Sequence, residues 1–122
     1  MTFENKFEGS VWQSEPVSET PVVVLVGWHV FEVKLPGRAE RTRHFSGTKA
    51  HDGHGKASTP IVQFDPVARR GVTESGRVYL LENPPGLEIN AVCAWDAFVR
   101  VNRAHDVVDV STEIQNMMER RA

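Results

Sequence analysis

Residues 22–26, V-V-V-L-V, form the longest apolar run of the chain, and their β-branching favours an extended backbone. Gly27 follows and predicts a bulge or a bend. From there the pattern alternates, with Trp28, Val30, Glu32 and Lys34 against His29, Phe31, Val33 and Leu35. The second set is the more apolar and is expected to face the core. Pro36-Gly37 closes this strand as a turn. Residues 38–48 set Arg41, Arg43 and Phe45 against Thr42, His44 and Ser46, which predicts a strand polar on one face and near a sheet edge. Residues 49–58, K-A-H-D-G-H-G-K-A-S, hold no large apolar side chain and read as a loop.

Residues 59–64 resume a strand, which Asp65-Pro66 closes. Residues 69–73 and 77–82 are the arms of a hairpin about Ser75-Gly76, where glycine supplies a positive φ without a Cβ clash. In the second arm Val78 and Leu80 face one side and Tyr79 and Leu81 the other. Both sides are apolar, so this strand is expected to be central. Pro84 and Pro85 donate no backbone hydrogen bond and end it. Asn90 is a candidate cap for a helix over about 90–104, where Ala94, Trp95, Phe98, Val99 and Val101 recur near helical spacing. Val107, Val108 and Val110 suit a short edge strand or an extended link. Ser111 or Thr112 then caps a terminal helix, whose Ile114, Met117 and Met118 either pack into the core or meet a second copy or partner.

These elements predict an α+β fold: a small antiparallel meander of four or five strands, flat or curled toward a barrel, packed against one C-terminal helix, with a short terminal helix after it. Residues 21–122 are read as one domain. Residues 1–20 are read as an acidic arm in which Phe3, Phe7 and Trp12 either pack on the domain or touch a partner.

Composition changes this picture little. At 122 residues, 40% hydrophobic and 25% charged, the chain is an ordinary globular protein. One cysteine, Cys93, forbids an internal disulfide and fits a reducing compartment, so a cytoplasmic location is expected; its place on the helix suggests burial. The first residues read as neither a signal nor a transit peptide, and no apolar run is long enough for a membrane span. Charge is more informative. Residues 1–33 carry a net −4, residues 34–77 a net +5 and residues 78–122 a net −3. Either the segments pair across the surface, or the middle third makes a basic face.

Three chemistries fit the candidate residues. Arg38, Arg41, Arg43 and Lys49, with Phe45 as a stacking ring, would suit a protein partner or a nucleic acid. His44 with His51, Asp52 and His54 offers imidazole and carboxylate ligands for a divalent metal, although the spacing matches no zinc signature, and a solvated loop explains the same residues. Gly53, Gly55 and Lys56 with Ser58 and Thr59 echo an anion nest but lack the phosphate-binding-loop pattern. No nucleophile is set in a catalytic motif, so no catalytic residue is assigned and no cofactor is expected beyond that metal alternative.

The run S-G-R-V-Y-L-L at 75–81, then P-P-G at 84–86, then a helix carrying Trp95, resembles small uncharacterised proteins of bacterial plasmids, phages and integrated elements. The resemblance covers residues 58–98. It implies a small protein that acts by binding another macromolecule, including inhibition or regulation of a host system. The expected function is therefore non-catalytic binding of another protein. A nucleic-acid accessory role through residues 38–49 and a metal-dependent enzyme about residues 44–54 are the alternatives; a homodimer is allowed and a membrane is not expected.

Overall fold

The computed structural model describes residues 16–86 and 88–121, the side chain of Arg121 excepted. Phe3, Phe7, Trp12 and most of the acidic arm lie outside the described residues. The elements run β1 (Val22–Lys34), β2 (Thr42–Lys49), β3 (Gly55–Ala57), β4 (Ile61–Asp65), β5 (Arg70–Thr73), β6 (Val78–Leu81), α1 (Ile89–Asn102), β7 (His105–Asp109) and α2 (Ser111–Arg121). The fold is α+β, with a sheet packed against a helix. Among the described residues the sheet has seven strands and is mixed, in the order β3-β2-β1-β6-β5-β4, with β7 also on β1. It does not close into a barrel.

β1 is the spine. Its start, Val22 to Leu25, pairs in parallel with β6, and its end pairs antiparallel with β7. β2 runs antiparallel along its other edge. The meander expected from short turns is thus interrupted by one parallel pair. The bulge at Gly27 is present: φ is +57° there, and the β1–β2 register shifts between Val26 and His29. It lets both alternating sets of β1 be covered. Trp28 and Val30 are fully buried on one face with Leu25, Phe45, Tyr79 and Met118. Phe31, Val33 and Leu35 pack on the other face, under Trp95 and Phe98 of α1.

Several local expectations need correction. The polar face of β2, with Thr42, His44, Ser46 and Thr48, does not meet solvent: residues 44–48 are all buried, and His44 lies against Trp95 and Phe98 of α1. The glycine-rich stretch yields β3, because Gly55 has no side chain and so lets Asn90 of α1 lie directly on it. Asn90 does not cap α1; the N-cap is Glu88, and the Asn90 amide donates to Gly53 O at 2.8 Å. Cys93 is exposed, off the stripe of Ala91, Ala94, Trp95 and Phe98 that α1 buries. The Ser75-Gly76 hairpin and the stop after Leu81 stand as expected. β6 is central, between β1 and β5. Met118 is core and Met117 packs against it. No helix among the described residues is long and apolar enough to cross a membrane.

Candidate functional site

The curl of the sheet brings β4, its terminal strand, toward the first half of β2. β3 pairs with Ser46, Gly47 and Thr48, so residues 42–44 have no ladder partner on that side among the described residues. Phe45 N–H donates to Ser58 Oγ and Phe45 O accepts from Ser58 N–H, so the Phe45 peptide groups point away from β1. By strand alternation those of Arg43 point the same way. Among the described residues β4 pairs only with β5, and none pairs with its outer edge. Between these two edges lies a groove of about 680 Å³, walled by Arg38, Arg41 and Arg43 on one side and Ile61, Val62 and Phe64 on the other.

Arg38, Arg41 and Arg43 therefore do come together, and each is already paired. Arg38 makes a two-point bridge to Glu74 at 2.7 and 2.8 Å. Arg41 Nε donates to Glu32 at 2.6 Å, and its Nη2 donates to the carbonyls of Glu32 and Asp106. Arg43 Nε donates to Glu32 at 2.9 Å, and its Nη atoms reach Glu113 of α2 at 3.0 and 3.2 Å. Glu32 is the hub. Hydrogen bonds from Arg43 and then Arg41 hold its carboxyl below the ordinary range. The Glu74 carboxyl is lowered by Arg38, and the guanidinium of Arg43 is raised, chiefly by Glu113. Charge-assisted bonds of this kind stabilise the ionised partners together.

Phe45 shares the Arg41–Arg43 face but is fully buried, tilted against Tyr79 at 5.2 Å and Phe64 at 6.2 Å, so it offers no ring to a partner. Lys49 lies apart, bridging Asp52 at 3.2 Å. His44 is on the opposite face of the sheet, fully buried against Phe98 and Trp95. Its Nδ1–H donates to Ser58 O at 2.8 Å, and Nε2 takes the Thr42 hydroxyl at 2.7 Å. Burial pushes its pKa down. His51, Asp52 and His54 sit in the exposed turn before β3, where the His54 N–H donates to Asp52 and holds that carboxyl low. His54 Nδ1 is 3.6 Å from Asp52. The structure does not gather His44 with the other three, and among the described residues no group of three or more His, Cys, Asp or Glu is placed to hold a metal ion. Lys56 is buried on β3.

The sequence reading missed Glu32, Glu74 and the β4 edge. One signal was available: folding the first hairpin about residues 37–38 sets Glu32 opposite Arg43, as observed. No family model, curated protein or solved structure matches this chain.

Proposed function

We propose that this chain is a non-catalytic protein-binding module that takes an extended segment of its partner into the groove between β4 and the first half of β2. The observation that carries this reading is the pair of strand edges, unpaired among the described residues, that flank a groove of about 680 Å³. Unpaired backbone donors and acceptors on a strand edge recognise any extended chain, and side-chain pockets alongside add selectivity. β4 offers five residues of edge, about 16 Å. Ile61 and Phe64 supply apolar contacts and the paired Arg38, Arg41 and Arg43 a polar wall.

The pairing of the arginines favours protein over nucleic acid. Binding phosphate would displace Glu32, Glu74 or Glu113 from guanidinium groups already engaged, and the released counterions would contribute little. The experiment is panning of a displayed library of linear peptides on the wild-type chain and on Val62→Lys. Val62 is 56% exposed, so the substitution leaves the core intact and places a charge in the middle of the edge. Peptides enriched on wild type and lost on Val62→Lys are expected. Equal enrichment on both, or none on either, would overturn the reading. Retention of a random oligonucleotide at low salt would put nucleic acid in its place.

A further inference from the structure

Residues 34–77 carry a net +5, and Arg38, Arg41 and Arg43 line the groove between β2 and β4, so charge along the chain points to an acidic partner. The ion pairs point the other way. We infer, resting on the proposed function, that the extended segment the groove takes is basic and sets a lysine or arginine beside Glu40.

Each guanidinium group of the groove is already held by a carboxylate of the fold. Arg38 meets Glu74 at 2.7 Å, Arg41 meets Glu32 at 2.6 Å, and Arg43 meets Glu32 at 2.9 Å and Glu113 at 3.0 Å. Glu40 is a further carboxylate of the same wall. It lines the groove, is exposed in the bend between Arg38 and Arg41, and its carboxylate has no ion pair or hydrogen bond among the described residues. Three cations thus stand against four anions, and the charge left over is negative. The paired acids also keep room for a donor. Each oxygen of Glu32 and Glu74 accepts a single arginine N–H, so of the roughly four lone-pair sites on a carboxylate about two remain.

The two signs of partner therefore meet different costs. An acidic segment gains a guanidinium only by taking it from a carboxylate that holds it, so one ion pair is lost for each one formed. It also brings its own charge up to Glu40, and like charges placed together at an interface exclude a partner. A basic segment breaks no pair. Its ammonium or guanidinium group meets Glu40 and the remaining lone pairs of Glu32 and Glu74. The opposite wall sets the rest of the segment. Ile61, Val62 and Phe64 are apolar, Val62 is 56% exposed, and β4 holds no Lys or Arg to repel a cation. Apolar side chains flanking the basic one suit that wall.

The test is panning of a displayed library of random linear peptides on the full wild-type chain, Glu40→Gln and Glu40→Lys. Peptides are counted as groove-dependent when both Val62→Lys and Val62→Glu lose them, so that the sign of the substituted charge does not select them. Glu40 is exposed in a bend, so its variants are expected to keep the wild-type unfolding midpoint. Among groove-dependent peptides, Lys and Arg are expected to exceed Asp and Glu by about twofold or more over the unselected library. That excess is expected to vanish on Glu40→Gln and to reverse on Glu40→Lys. For a peptide selected on wild type, Glu40→Gln is expected to raise Kd about two- to fivefold. Groove-dependent peptides with no basic excess, with an acidic excess, or with an excess that persists on Glu40→Gln would overturn this inference and leave the groove standing as a peptide site. The absence of any groove-dependent peptide would overturn both.

Discussion

The ring of Phe45 occupies the space that a side chain on Gly71 would need: a Cβ at Gly71 would stand 2.3 Å from Phe45 Cζ. β2 and β5 are separated in the sheet by β1 and β6, so this contact spans the inside of the curl that forms the groove. Gly71→Ala is expected to destabilise by about 1–3 kcal/mol through overpacking, read as a lower urea midpoint. Adding Phe45→Leu should cost less than the sum of the two single changes, because the smaller side chain relieves the same clash. A neutral Gly71→Ala would remove the contact as a determinant of the curl.

His44 makes stability depend on pH near neutrality. Its ordinary pKa is 6.5 and burial lowers it in the fold, so the unfolded chain binds the proton more readily. Stability is full above pH 6.5 and is lost as pH falls toward the lowered folded value. His44→Gln should be less stable at pH 7.5, having lost the fitted ring, and its urea midpoint should change less between pH 6.5 and 5. Parallel pH profiles for variant and wild type would contradict this.

Glu32 ties β1 to β2 through two guanidinium groups, and its side chain is 24% exposed. Glu32→Gln is expected to cost about 1 kcal/mol at pH 7, a figure held down by solvent access. The ordinary pKa is 4.5 and the folded one lies below it, so the contribution is complete above pH 4.5 and fades as pH falls through the folded value. The difference in unfolding midpoint between wild type and variant should therefore shrink on acidification.

Cys93 is exposed on α1. A thiol reagent such as Ellman's should modify it stoichiometrically in the native protein, at a rate that does not rise greatly when urea is added below the unfolding transition. Protection until unfolding would place the thiol in the core.

Strong local signals were legible in the sequence. The β-branched run of β1, the bulge glycine, the Ser75-Gly76 turn and the Pro84-Pro85 stop each have a sufficient cause within a few residues. What stayed hidden depends on distant partners. β3 becomes a strand only because α1 lies on Gly55. The parallel pairing of β1 with β6 joins residues more than 50 positions apart. Arg41, Arg43 and Phe45 do share one face, as alternation predicts, but alternation could not tell that the curled sheet buries the ring and that acids from β1 and α2 engage the guanidinium groups. The groove is a product of the curl, so no local pattern marks it.

The central claim is that a partner adds a strand between β4 and β2. The most direct measurement is backbone hydrogen–deuterium exchange of the chain with a library-selected peptide bound. Slower exchange confined to Arg43 and to residues within 61–65, absent in Val62→Lys, is the predicted result. Protection over α1 or β7 with β4 unchanged would contradict it.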